Sequence, residues 1–421
     1  MKIGISDIGI FVPRYTVEIR DIIEKRLDLT PKMKRKIEGS STLTGQKSIR
    51  FSAAWEDPVT LAAEAFKKII DRNPSITDNM RFLGVGTETE VDYSKPVAAY
   101  LQGLLINSGI KVPGSISSFQ TRHACASGTI AMMNIASQLA LSSNERETGI
   151  AVCSDIAHYE RNSTAEITQG AGAAALFIER NPSLVELDLS SQGYASSDVD
   201  DFFRPLGSKT PRVKGQYSMK CYQDALINAF DDYCRKMGRK PEDVLDDVDY
   251  FVCHSPFAAM PKMALRYLLE ERKGLDFQHA DEFIKSRAAD SAYDYVSSIG
   301  NLYSGALYLS LAALLYSECQ ALGEKIIGKN ILFASYGSGN TMIVFSGKIA
   351  EKAPAIIDSW NFPLIFADSI KADFNFYEDW MSSEYIIPSG KVIVRPDDVP
   401  SGRYYLSSIR IDGYRQYGYK E

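Results

Sequence analysis

Apolar positions along the chain fall into two alternating patterns. Short runs dense in Val, Ile, Leu and Phe, such as MRFLGVG, GIAVCSD, DYFVCHS, NILFASYG and TMIVFSG, are strand-length and end in small or polar residues. Between them lie longer stretches with helical spacing or unbroken apolarity, such as KPVAAYLQGLL, ASGTIAMMNIASQLAL, PKMALRYLLEE and SGALYLSLAALL. Strand and helix patterns alternate almost throughout, which predicts an α/β architecture with largely parallel sheets.

The order of these patterns occurs twice. MRFLGVGTETE, KPVAAYLQGLL, ACASGTIAMMNIASQLAL, GIAVCSDIA and QGAGAAALFIE are matched by VDYFVCHSPF, PKMALRYLLEE, IGNLYSGALYLSLAALL, KNILFASYGSGN and TMIVFSGKI. The repeat predicts two similar lobes, over residues 1–180 and 181–421, the second carrying an added C-terminal segment. A polar residue ends the first strand of each copy, Glu88 and His254, and another precedes each long apolar helix, Cys125 and Asn301. If the lobes pack about a pseudo-twofold axis, the four converge at the carboxyl ends of strands, where parallel sheets present their ligand sites.

Composition narrows the partners. The 421 residues are 45% hydrophobic and 24% charged, ordinary for a globular chain. A net charge of -6 argues against a nucleic-acid or anionic-membrane surface, since binding polyanions needs clustered positive charge. The opening MKIGISDIGIFVPRYT lacks the layout of a signal peptide, and no run reaches the roughly 18 consecutive apolar residues of a membrane span. A cytoplasmic protein is expected. The six cysteines, at 125, 153, 221, 234, 253 and 319, form no CxxC and no zinc-like spacing with the four histidines, so no metal site is expected. Cys153, Cys253 and Cys319 lie in apolar runs and are expected in the core.

Cys125 differs. It sits among small residues just before a helix-forming stretch, where unpaired amides and the helix dipole favour an anion; this predicts a lowered thiol pKa and a thiolate nucleophile. His254, followed by Ser-Pro, is fixed at a strand end and is the best-placed imidazole, with His123 as a rival on the face of Cys125; His158 and His279 are expected in solvent. Glu88 follows a buried strand, so its carboxyl pKa is expected to rise toward the range useful for proton abstraction, with Glu90 and Asp92 exposed. The loops QGAGA and YGSGN fit no dinucleotide or Walker pattern and are expected to be tight turns. The basic run PKMKRK, residues 31–36, is expected on a solvated surface, with coenzyme phosphates as the alternative role. The tyrosine-rich tail is expected to form a strand against the body.

Taken together, VGTETEVDYSK, HACASGT, SDIA with TQGAGAAAL, DFFRPL with GQYSMKCYQDAL, HSPF, GNLYSGALYLSLAALL and SYGSG resemble, in matching order, the hydroxymethylglutaryl-CoA synthase family of thiolase-like condensing enzymes. The resemblance implies a five-layered α/β/α/β/α thiolase-like fold of two duplicated lobes, a homodimer, and an acyltransferase that condenses acetyl-CoA with acetoacetyl-CoA in the mevalonate route, with no cofactor. It implies Cys125 as the acetylated nucleophile, Glu88 as general acid/base and His254 as the group polarising the acetoacetyl thioester. Asn301, Tyr336, Ser338, Thr168 and Lys262 would bind substrate. Three positions depart from the family pattern: Ala126 follows the nucleophile where tyrosine is usual, Ala259 stands where a lysine is common, and Ile167 replaces a proline. EDPVT and the MPK run are similar to the polyketide-associated branch, so an acyl carrier protein as acceptor carrier is the alternative, beside a ketoacyl-synthase-III-like condensation. A non-catalytic scaffold is disfavoured by the intact trio.

Overall fold

The computed structural model describes residues 2–208, 210–287, 289–383 and 389–421. Its centre is one ten-stranded sheet. The first half contributes β1 (Ile3–Phe11), β2 (Met80–Gly86), β3 (Ser117–Thr121), β4 (Thr148–Ala157) and β5 (Gly170–Arg180). The second contributes β6 (Val185–Leu187), β7 (Gly193–Ser196), β8 (Tyr250–Cys253), β9 (Asn330–Gly337) and β10 (Thr341–Ile349). Neighbours run β8-β9-β10-β6-β1-β5-β4-β2-β3, with β7 also on β10. The first half runs β3-β2-β4-β5-β1 and the second β8-β9-β10-β6, so β8, β9, β10 and β6 take the places of β2, β4, β5 and β1 and the predicted duplication is present in the pairing itself, with no second-half counterpart of β3 among the described residues.

The predicted largely parallel sheets are in fact mixed. β2 pairs in parallel with β3 and β4, and β8 with β9, because a helical crossover separates each pair in sequence. β4–β5 and β9–β10 are antiparallel, because short connections with no crossover helix join them. The three-residue β6 pairs antiparallel with both β1 and β10 and so joins the two halves.

Alternation along the strands explains the layers. Ile150 and Val152 on β4 pack into a cluster with α1 (Pro58–Arg72) and α2 (Val97–Asn107), while Ala151 and Cys153 face the opposite cluster. The latter contains α3 (Ser127–Leu141) and α6 (Gly305–Leu322) between the two half-sheets, and α4 (Gly215–Met237) and α5 (Met260–Lys273) beyond the second. This is the expected thiolase-like layering. Residues 124–141 are long and apolar enough to cross a membrane by length and composition, yet here they are mostly buried as a core segment. All six cysteines are free and buried, including the three assigned to the core.

Local signals place the ends. EDPVT is a helix start: Asp57 accepts from the amides of Val59 and Thr60 at 3.0 and 3.1 Å, and the Thr60 hydroxyl receives the Asp57 amide. The tail forms a hairpin, Tyr404–Ile409 with Arg415–Tyr419, rather than one strand. It docks on α1 through the Tyr404 amide on Glu64 at 2.8 Å and the Tyr417 hydroxyl on Asp57 at 2.7 Å.

Where α3 meets the sheet there is no room for side chains. A Cβ on Gly86 would lie 2.2 Å from the Gly128 amide nitrogen, and one on Gly128 would lie 2.2 Å from Cys153 Sγ. Below this contact Ser335 donates to Thr129 at 2.8 Å, and Thr129 bonds the Tyr308 hydroxyl at 2.9 Å, tying β9, α3 and α6 together. Gly86→Ala forces backbone against backbone and is expected to destabilise the protein by roughly 2–4 kcal/mol, measured as a lower urea midpoint at unchanged slope.

Candidate active site

Cys125 lies two residues before α3, in the turn His123–Ala126 that leads into the helix. Ala124 there has φ 42°, a left-handed conformation that a residue with a Cβ rarely adopts. The turn is held by the Ala126 amide on His123 O at 3.0 Å and the Ser127 hydroxyl on Ala124 O at 2.9 Å. From the other half the end of β9 presses on it: a Cβ on Gly337 would lie 2.4 Å from His123 O and 2.8 Å from the Ala126 Cβ. YGSGN is therefore a close-approach turn, as predicted. Ala126 is fully buried beneath this contact and does not line the cavity, so the missing tyrosine changes packing behind the thiol rather than the cavity wall.

A cavity of about 510 Å³ opens on the thiol. Cys125, His254, Asn301, Tyr336, Ser338 and Thr168 all line it, drawn from both halves as the pseudo-twofold reading expects. His254 is 1% exposed; its amide bonds Ala334 O at 2.8 Å and its carbonyl accepts the Tyr222 hydroxyl at 2.9 Å. Burial pushes its pKa down to about 3, so the ring is neutral, and Nδ1 has no hydrogen-bond partner among the described residues. Asn301 donates to the Tyr159 hydroxyl at 3.1 Å and accepts the Tyr303 amide at 2.8 Å, which sets the entry to α6.

Two positions depart from the expected convergence. Glu88 does not line the large cavity. It faces a small one of about 10 Å³ on the far side of Phe202, Pro211 and Tyr303, which line both. The carboxylate nevertheless accepts the Ala124 amide, one residue from the thiol, and burial raises its pKa against the opposing pull of Arg204 and Arg122. Lys262 misses the site altogether. Phe257 and Met260 face the cavity, and Lys262, about 200° around α5 from Met260, turns toward Asp281 at 3.7 Å and Asp290 at 3.6 Å.

The thiol is also not the predicted resting thiolate. Burial first, then the fields of Asp155, Glu88 and Asp201, push the Cys125 pKa well above its ordinary value. The helix end supplies only a fractional positive charge, which buried carboxylates outweigh. Of the other histidines, His123 is half-buried and outside the cavity, and its pKa is lowered by burial. His279 is exposed on Asp276, as expected, but His158 is not solvated and packs on the Trp380 ring at 4.8 Å. Glu90 is also inside, pairing with Arg122 at 2.9 Å.

Two aspartates missing from the expected set hold the site together. Asp155, fully buried at the end of β4, accepts on Oδ1 from the Thr87 hydroxyl, the Glu88 amide and both the amide and hydroxyl of Thr89, at 2.8–3.1 Å. This fixes the turn carrying Glu88, and burial still pushes Asp155 up to about 8. Asp201, fully buried, accepts the Tyr336 hydroxyl at 2.8 Å and the Gly339 amide at 2.9 Å, fixing the loop with Tyr336 and Ser338. An acid inside SDIA, and another in DVDDFF between Asp200 and Phe202, carry a signal only as polar positions beside apolar residues.

Comparison with known proteins follows this geometry. The family model for the hydroxymethylglutaryl-coenzyme A synthase N-terminal region matches residues 1–183, and that for the C-terminal region matches 185–279 and 272–420. The chain is 31% identical to the hydroxymethylglutaryl-CoA synthase of Enterococcus faecalis, over 83% of each chain. It is 28% identical to hydroxymethylglutaryl-CoA synthase A of Dictyostelium discoideum, over 99% of this chain and 90% of that one. Among solved structures it is similar to MvaS in complex with 3-hydroxy-3-methylglutaryl coenzyme A, with TM-score 0.85, 30% identity and coverage of 100% and 99%. It has the same TM-score, at 22% identity and full coverage of both chains, against the HMG synthase of the curacin biosynthetic pathway, a likeness of fold.

With its pKa raised, the Cys125 thiol should alkylate with iodoacetamide at a rate that climbs steadily from pH 7 to beyond pH 9. Intact mass against time at each pH, with Cys125→Ser as blank, measures this; a plateau below pH 8 contradicts the assignment.

Proposed function

The chain belongs to the hydroxymethylglutaryl-CoA synthase family, and on that premise we propose which of its residues perform the condensation of acetyl-CoA with acetoacetyl-CoA. The protein is an acyltransferase of the condensing type. One observation carries the assignment: a thiol and a neutral buried imidazole face one cavity, while a carboxyl of raised pKa docks on the amide beside the thiol.

Cys125 attacks the acetyl carbonyl; the sulfur–carbon bond forms as the bond to coenzyme A breaks, and the thiol proton leaves with the coenzyme thiolate. Because Cys125 is no standing anion, this proton needs an acceptor, and neutral His254 in the same cavity is the group able to take it and pass it on. Glu88 then removes a proton from the acetyl methyl, which the thioester acidifies. The carbanion attacks the ketone of the acetoacetyl thioester, and Glu88 returns its proton to the new alkoxide. Amides at the α3 end and the tight turn from Gly337 support the developing oxyanions. Water then cleaves the bond to Cys125 and frees the product. Asn301, Tyr336, Ser338 and Thr168 shape the acyl cavity; Lys262, engaged with two aspartates, is replaced in this list by Asp155 and Asp201 as positioning residues. No metal or redox group has a step to perform.

Coenzyme A is the carrier we favour. The relatives at 30% and 31% identity are a structure holding hydroxymethylglutaryl coenzyme A and a named CoA synthase. The basic run lies on a helix, Pro31–Thr44, whose Gly39, Ser40, Leu43 and Thr44 border the cavity mouth. Arg35 and Lys36 are exposed, as expected of a solvated surface, and stand one turn before that rim, where a coenzyme's phosphates would emerge, which supports the phosphate role beside it. The family also carries with it a homodimer, a cytoplasmic location and a place in the mevalonate route. The half-exposed edge strand β3 supports the first.

Incubation with acetyl-CoA should give an acetyl adduct by intact mass that is absent in Cys125→Ser. Glu88→Gln should form the adduct but condense about 100-fold to 10,000-fold more slowly; condensation at the wild-type rate contradicts the role. Arg35→Ala with Lys36→Ala should raise KM for acetoacetyl-CoA about 5-fold to 20-fold with kcat unchanged. Equal use of an acetoacetyl carrier protein and no KM change would move the assignment to the carrier-protein branch.

A further inference from the structure

Resting on that reading, the cavities behind Glu88 carry one more step. The condensation and hydrolysis together consume water and turn a thioester into a carboxylate. The water oxygen bonds the acyl carbon as the bond to Cys125 breaks; one water proton goes to the sulfur, and the other is released when the product acid ionises. That proton must reach solvent. A coenzyme arm bound in the mouth of the large cavity would obstruct that exit.

A separate row of cavities leads away from Glu88. The small one, about 10 Å³, is close to the space of one water molecule and has polar walls from Glu88, Thr89, His158 and Arg204. Thr89, Ile156 and His158 form its far wall and at the same time line a third cavity of about 120 Å³. That cavity is also walled by Glu56, Asp57 and Glu90 and reaches the surface at Ala54 and Ser383, both exposed. The polar walls of the small and the 120 Å³ cavity include none of the residues assigned to the acyl group other than Glu88.

We propose that Glu88 exchanges its proton with solvent through this row, by way of a water in the small cavity and the imidazole of His158, independently of the coenzyme side. Ile156 and Thr89 leave His158 as the ring spanning the wall between the two cavities, half-buried against Trp380. Glu56 beyond it, fully buried and pushed up to about 7, takes and gives a proton near neutrality. On the opposite side Phe202, Pro211 and Tyr303 are walls shared with the acyl chamber, so Glu88 stands between the acetyl methyl on one side and the solvent-facing row on the other.

The test is deuterium washout. Acetyl-CoA is incubated with the enzyme in D2O without acceptor, and deuterium entering the acetyl methyl is measured by mass spectrometry, beside the rate of Cys125 acetylation. His158→Phe keeps a ring but makes the wall apolar. It should form the adduct and lose about tenfold or more in washout, with His158→Gln, which keeps hydrogen-bonding atoms, recovering most of it. Washout within twofold of wild type in an acetylated His158→Phe overturns the route. If His158→Phe does not fold, His158→Leu against His158→Gln makes the same comparison. Failure of the wild type to form any adduct is a different result and would reject the underlying functional reading instead.

Discussion

The site depends on a backbone-to-backbone contact between the halves. Gly337 at the end of β9 lies against His123 O and Ala126, and Gly86 lies against the Gly128 amide. Neither approach tolerates a Cβ. Pressed from both sides, the turn before α3 keeps Ala124 at φ 42° and leaves Cys125 aimed into the cavity. The energy that stabilises this strained residue comes from the surrounding core, since a left-handed alanine on an open loop would relax. Duplication thus does more than repeat a fold: the second copy is the clamp on the first copy's nucleophile.

The electrostatics of the pocket follow from that tight packing. Burial moves each ionisable group toward its neutral form: the Cys125 thiol and the Glu88 and Asp155 carboxyls upward, the His254 imidazole downward. Such a site works by passing protons between neutral partners rather than by holding charges ready. The two aspartates act within this scheme by geometry. Asp155 spends one oxygen on the Glu88 turn, and Asp201 spends its two on Tyr336 and the Gly339 amide.

Most of the architecture was legible because it rests on local periodicity and on a repeated order of elements. Glu88 and His254 stood out as polar residues ending apolar runs and Cys125 as a thiol among small residues before a helix-forming stretch, and all three are buried in the structure. What escaped was whatever depends on helical phase or on distant partners. Lys262 is two residues from the cavity-facing Met260, and only the acids on Asp281 and Asp290 decide which way it turns. The helix-end argument for a thiolate weighed a local dipole without the carboxylates that three other segments bring near. His158 and Glu90 seemed polar and therefore wet, but the α1 start, Trp380 and the residues around Arg122 cover them. The tail's turn at Asp412–Gly413 separates two strands that alternation alone had merged into one.

The short strand β6 has a further meaning for how the molecule is put together. Its three residues pair with Ile3–Ile5 of β1 and Gly347–Ile349 of β10 at once. A cut in the chain beside it would leave two raw sheet borders, each hungry for another strand. The halves are therefore not two bodies on a linker but one continuous hydrogen-bonded surface, and parting them means breaking a sheet.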